Sequence, residues 1–411
     1  MYTRGKILIN YNIYAFIIQI ILVIIMVIVS WVLTVIQYEQ SDVFGRYLIG
    51  TTAYDIRSYL AEINVYIEYI RAFNLKEVIF SSYGASVTLL YSLPLIMNMP
   101  FLFAIINSIA ILITFRLIIS LDIYKKFFIA TIILNPYYLI SIWGPSKDIL
   151  ALLFTVITFY VIRKDELDLS NSKQKLVRFI VILLILLVTS SGIRANIALS
   201  IFGFIFFYII RYVLKFHKYS VYSTLIFISS IVYVVYSSGF KDSTFLYEST
   251  GSSYIPDWIS NANPFVKLIL LPVYLILYAL WDYVKPLPVA NKQIDLVYLS
   301  LTIGGIFIAY SVLLMFLKWK NFIINYNNAS VYTLIYILIT IQNNYIHPRY
   351  LYPVIPCIFL LTNLRTHTFL FGLLLIIFIK IFISFAIPLT GQMNLDASLP
   401  PYLPYDIFFY N

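Results

Sequence analysis

Apolar stretches of roughly 20 residues, almost free of charge, recur from one end of this chain to the other. They leave the backbone little choice. Where the surroundings are hydrocarbon, every peptide N–H and C=O must be satisfied inside the segment, and a helix does this by itself. Such runs lie at 13–36, 101–121, 127–143, 149–162, 179–191, 197–212, 219–237, 297–317, 329–344, 351–364 and 368–388, and each predicts a helix. Two further runs, 84–97 and 268–281, are short or interrupted by Pro94 and Pro272, and predict half-helices or surface helices. Composition points the same way. Of 411 residues, 62% are hydrophobic and 11% charged. A soluble chain carries about 25% charged residues, so this one lacks the groups to cover a water-facing surface. The expectation is an all-α polytopic transmembrane bundle in one domain, with about 11 spans plus one or two short or re-entrant helices.

Basic residues set the orientation. Arg4 and Lys6 precede the first run. That run exceeds the roughly 7–15 apolar residues of a secretory leader, and it ends in Gln37-Tyr38-Glu39 rather than at a small-residue cleavage site. It reads as a retained first span with the N-terminus inside. Alternating the strong runs then collects Lys125, Lys126, Arg163, Lys164, Lys173, Lys175, Arg178, Arg211, Lys215, Lys218, Lys318, Lys320 and Arg365 on the inner side. Arg116 and Lys380 fall within spans. The net charge of +10 therefore reflects inner loops and not nucleic-acid binding. Two large segments remain outside, 38–83 and 237–296. The first mixes Tyr, Asp, Glu and Arg between Tyr54 and Arg71 at helical spacing, which predicts a helix lying at headgroup level. Cys357 is the one cysteine, so no intrachain disulfide or cysteine-based zinc site is available, and it reads as an inert buried thiol.

Three cations lie where that topology disfavours them. Lys147 in Trp143-Gly144-Pro145-Ser146-Lys147-Asp148, Arg194 in Gly192-Ile193-Arg194-Ala195-Asn196 and Arg349 in His347-Pro348-Arg349-Tyr350 all occupy short outer connections. A charge beside lipid is costly unless it is paired or lines a wet cavity. Helix ends on one side of a bundle can converge, and three cations in one pocket would hold a diphosphate through charge-assisted hydrogen bonds. The plainer reading is that these cations snorkel to headgroups or pair with acids, Asp148 standing beside Lys147. A base is also needed if the site does chemistry. His347 is one candidate, because histidine side chains in general change charge near neutral pH. Asp55 and Glu62, seven residues apart with Arg57 between them, share a face if the segment is helical. A loop histidine bonded to backbone and an ordinary charged surface helix are the plainer readings of these groups. No phosphate-binding loop, dinucleotide glycine pattern or His-Glu-x-x-His is present, so no nucleotide cofactor or metal is expected.

The Gly-Pro-Ser-Lys-Asp at 144–148, the Gly-x-Arg-x-Asn at 192–196 and the Pro-Arg-Tyr-Leu-Tyr-Pro-x-x-Pro at 348–356 resemble Wzy-type O-antigen polymerases. The resemblance implies a bacterial inner-membrane enzyme with its active site on the periplasmic side. It would move a glycan from undecaprenyl diphosphate onto a new lipid-linked repeat unit, without cofactor, and would work with a chain-length regulator. The family's functional arginines would map onto Arg194 and Arg349, with Asn196 and Tyr350 in support. Asp55 with a second acid at Asp148 also resembles GT-C glycosyltransferases, which take a single sugar from a polyprenyl phosphate. A flippase or other transporter is the alternative of another class. Transporters are often built from internal repeats, and none is visible here.

Overall fold

Helices form over most of the apolar runs, and they break where proline restricts the backbone. The computed structural model describes residues 16–32, 63–74, 84–99, 101–121, 130–133, 135, 138–139, 141–167, 173–213, 226, 230, 289–290, 293–294, 296–317, 327–342, 348–361 and 366–386. The helices used below are α1 (Phe16–Val32), α2 (63–71), α3 (Gly84–Ile96), α4 (Phe101–Leu121), α5 (Ala130–Ile133), α6 (Lys147–Leu167), α7 (Lys173–Ser191), α8 (Ala195–Tyr208), α9 (Leu296–Leu317), α10 (Asn328–Gln342), α11 (Ile355–Leu361) and α12 (Thr366–Ala386). A π-helical turn, Ile209–Val213, extends α8. The described part is helical apart from turns and one small hairpin, in which Val289 pairs with Ile294 and Ala290 with Gln293. Two helices, Phe101–Leu121 and Gln174–Ser191, are long and apolar enough to cross a membrane. The run 268–281 lies outside the described residues, as does 219–237 apart from residues 226 and 230.

Two runs fold differently from expectation. Within 127–143, α5 stops at Ile133, Asn135 is not helical, and a 3-10 turn at Ser141–Trp143 closes the segment. Pro136 follows Asn135, and a proline ring disfavours helical backbone in the residue before it. Within 351–364, a 3-10 helix at Pro348–Val354 precedes a seven-residue α11. Pro353 and Pro356 supply no N–H, so the regular ladder cannot start earlier. The short run at 84–97 becomes α3, whose 13 residues carry Pro94 inside and reach about 20 Å, too short to cross hydrocarbon.

The described helices face outward with carbon and inward with their polar groups. On α1, Ile17, Ile21, Ile24 and Ile28 are exposed, while Gln19 and Ser30 are buried beside Val23 and Met26. On α4, Ile105, Ile109 and Ile113 are exposed while Asn107 and Thr114 are buried. On α12, Phe371, Leu374, Phe378 and Phe382 are exposed, and Lys380 is buried one turn beyond Ile376. A water-soluble bundle has the opposite pattern. Helix α2 is part of the expected outer surface helix. It buries Ile63, Tyr66 and Ile67 and leaves Glu68 exposed.

Antiparallel packing of α6, α7, α8 and α10 gives the bundle two chemically different ends. At one end the C-terminus of α6 meets the starts of α7 and α10. Arg163 pairs with Glu166 at 2.7 Å, and Lys175 pairs with Asp165 at 3.5 Å. Glu166 also caps α10 by accepting from the Ala329 N–H at 2.9 Å, and Arg211 donates to Asn328 at 3.3 Å. At the other end lie the N-termini of α6 and α8, the C-terminal part of α10 and the 3-10 helix Pro348–Val354.

Candidate functional site

The end of the bundle that carries Lys147 is assembled from four segments. The first is the turn Gly144-Pro145-Ser146, which opens α6. Ser146 caps the helix by accepting from the Asp148 N–H at 3.2 Å. The turn is held from below by Asn107 of α4. Its side-chain amide donates to the carbonyls of Ser141, Ile142 and Gly144 at 3.2, 2.9 and 2.9 Å. Tyr91 of α3 completes the cradle, donating to Asn107 Oδ1 at 2.6 Å and to the Ser146 carbonyl at 3.0 Å. Tyr91 and Asn107 are both fully buried. They satisfy carbonyls that the tight turn exposes to an apolar interior, where an unmet acceptor is expensive.

The second segment is the turn from α7 into α8. Gly192 and Ile193 reverse the chain, with the Ile193 and Arg194 N–H groups both bonded to the Ser190 carbonyl at 2.9 and 3.1 Å. Arg194 is the residue before α8, with extended backbone at φ −153° and ψ 128°. Its guanidinium Nη2 donates to Asp148 Oδ1 of α6, forming a buried ion pair. Its flat face lies over the Tyr350 ring, 4.4 Å from the ring centre. Arg194 is 3% exposed and Asp148 7%, so their pair is largely water-free, and Lys147, which precedes Asp148 on α6, is itself 3% exposed.

The remaining segments lock that arrangement. Tyr336 of α10 donates to the carbonyl of Tyr350 at 3.1 Å. Asn196 of α8 donates to the Tyr336 hydroxyl at 3.4 Å and to Thr340 at 3.1 Å. The phenol of Tyr138 is buried among Asp148, Arg194, Tyr336 and Tyr352, close enough to feel each electrostatically. Arg349 lies in the 3-10 helix immediately before Tyr350.

Asp148, Arg194, Tyr350, Tyr336 and Asn196 thus belong to one cluster, buried Lys147 stands next to it in the first turn of α6, and the turn carrying Arg349 joins it. Asp148 is not simply the partner of its sequence neighbour. Its carboxylate reaches across 46 positions to Arg194. Asp55, Arg57, Glu62 and His347 lie outside the described residues. Sequence reasoning missed Tyr91, Asn107, Tyr138 and Tyr336. A signal was present for Asn107, a carboxamide in the middle of an apolar run.

Chemically, the cluster sets the Arg194 guanidinium against one carboxylate with a second buried cation, Lys147, on the same helix turn, where the N-termini of α6 and α8 add their own positive ends. Such a place favours an oxyanion, and low polarity strengthens each contact. No family model, curated protein or solved structure matches the chain.

Proposed function

We propose that the chain is a membrane glycosyltransferase, an O-antigen-type polymerase that joins undecaprenyl-diphosphate-linked oligosaccharide units at the periplasmic face of a bacterial inner membrane. The observation that carries this reading is the buried Arg194–Asp148 pair, with buried Lys147 in the same helix turn as Asp148 and the turn of Arg349 beside it, at one end of a helical bundle. Carbon-faced exteriors on α1, α4 and α12 support a bundle immersed in lipid, and the apolar runs of the sequence would give it about 11 crossings. The basic residues Arg163, Lys164, Lys175 and Arg211 gather at the opposite end, as positive-inside orientation requires if the cluster faces outward.

In the reaction, the anomeric carbon of the growing chain leaves its diphosphate for a hydroxyl of the incoming unit. Negative charge builds on the departing diphosphate. Lys147, Arg194 and Arg349 neutralise it, which is stabilisation of the transition state by preorganised charge. Losing one such donor costs roughly a hundredfold or more in rate. The test is a strain lacking the gene, examined for surface polysaccharide on a gel. A product stopped at one repeat is expected, restored by the wild-type chain and not by Arg194→Ala. A normal long-chain ladder in the deletion strain overturns the reading.

A second reading is favoured by the carboxylate inside the cluster. An acid beside the cations fits a GT-C enzyme that transfers one sugar from a polyprenyl phosphate. Deletion would then remove a single decoration and leave chain length intact, so the same gel separates the two.

A further inference from the structure

Arg194 and Asp148 hold one another in the ligand-free protein, and a diphosphate at the cations needs the same guanidinium. We propose that diphosphate binding exchanges the Arg194–Asp148 ion pair for an Arg194–phosphate pair, and that the released Asp148 is the base that takes the proton of the acceptor hydroxyl. The inference rests on the diphosphate-using reading above and adds the identity of the base.

The geometry supplies the reason. Asp148 stands in the first turn of α6 beside Lys147, buried, and is reached by Arg194 from the start of α8. Among the described residues it is the one buried acid at this end of the bundle. Arg194 from α8 pairs with it, and the phenols of Tyr91 from α3 and Tyr138 from the 138–139 segment lie close enough to feel its charge. Tyr336 from α10 and Tyr350 and Tyr352 from the 3-10 helix stand around Arg194 and Tyr138, so the surroundings of the pair are largely phenolic. When an anion draws Arg194 away, a buried carboxylate is left among phenols and next to new negative charge. Desolvation and like charge then strengthen its pull on the acceptor's proton, most of all as the sugar–diphosphate bond breaks and the leaving diphosphate gains its extra charge. A buried guanidinium is also the right group to change partners. It is always charged, and its planar fork fits a phosphate as well as a carboxylate.

The step balances. The acceptor O–H proton passes to Asp148. The acceptor oxygen forms the bond to the anomeric carbon. The bond from that carbon to the diphosphate oxygen breaks, and its electron pair leaves with the diphosphate, held by Arg194 and Lys147. Departure of the lipid diphosphate returns Arg194 to Asp148, and the proton is released.

The experiment is calorimetric titration of the detergent-purified full chain with undecaprenyl diphosphate, in two buffers of different ionisation enthalpy. Undecaprenyl diphosphate is the leaving product, so its complex is the state in which Asp148 holds the acceptor's proton; with no acceptor present to supply it, wild-type protein should take about one proton from the buffer per diphosphate bound. Asp148→Asn should bind roughly tenfold more tightly, because Arg194 no longer has a competing carboxylate, and with no proton uptake. Its turnover with lipid-linked oligosaccharide should be lost. Asp148→Glu keeps the charge on a longer arm and should keep the uptake with reduced turnover. This variant and the wild type decide the matter if Asp148→Asn does not fold. Wild-type binding without proton uptake, or Asp148→Asn binding no tighter than wild type, overturns the proposed exchange while leaving the diphosphate site standing. Absence of binding by wild-type protein overturns the functional reading itself.

Discussion

Removing the guanidinium of Arg194 would strand the Asp148 carboxylate in an apolar interior, and this asymmetry makes the pair testable apart from any activity. Breaking one side of a buried ion pair costs about 3–5 kcal/mol, whereas removing both charges costs far less. Arg194→Gln should therefore lower thermal stability in detergent sharply, and Arg194→Gln with Asp148→Asn should recover most of the loss. Equal melting losses for the single and double variants would show that the charges do not support each other. Asn107 offers a second case. Asn107→Leu keeps the volume and deprives three carbonyls of their donor, so it should destabilise by about 2 kcal/mol. An unchanged melting curve would mean that the turn before Lys147 holds itself. At this scale the sequence was half readable. Arg194 and Lys147 stand out because a charge interrupts apolar runs. The pairing of Arg194 with Asp148 does not, because no periodicity specifies a contact between residues 46 positions apart.

Helices were legible where one period rules a whole run. The expected 101–121 coincides with α4, and the expected 149–162 is the middle of α6 at Lys147–Leu167, whose charged last turn hides its true end. They were illegible where proline competes with apolar periodicity, as at Asn135-Pro136 and in Pro348–Val354. The second exception matters, since that 3-10 helix contains Arg349 and Tyr350. Its position is fixed partly by Tyr352, whose ring fills the notch left by Gly304 on α9. A methyl group at Gly304 would overlap the Tyr352 hydroxyl. Tyr352 is only 2% exposed, so it has little room to move. Gly304→Ala should therefore cost about 1–3 kcal/mol through overpacking. Adding Tyr352→Leu should relieve much of that cost, and a double-mutant cycle of melting temperatures reads the coupling directly. Additive effects would place the two residues out of contact.

Across the whole molecule, the proposed function requires a bundle whose Lys147 end faces away from the cytoplasm. The native thiol makes this easy to test. Cys357 is fully buried in α11, so it should resist maleimides, and Cys357→Ala supplies a cysteine-free background. Met99 is 40% exposed and precedes α4, whose first turns hold the Lys147 turn through Asn107. Lys164 is exposed near the far end of α6, about 25 Å along the axis from Lys147 at 1.5 Å per residue. That distance approaches the thickness of the hydrocarbon, so the two sites sample opposite surfaces. A cysteine at position 99 should react with a membrane-impermeant maleimide on intact spheroplasts. A cysteine at position 164 should react only after permeabilisation. The reverse pattern would turn the cations toward the cytoplasm and remove the periplasmic reaction. Equal labelling of both sites on intact spheroplasts would mean that these two ends do not face opposite sides of a membrane, and the lipid-immersed bundle would then have to be abandoned.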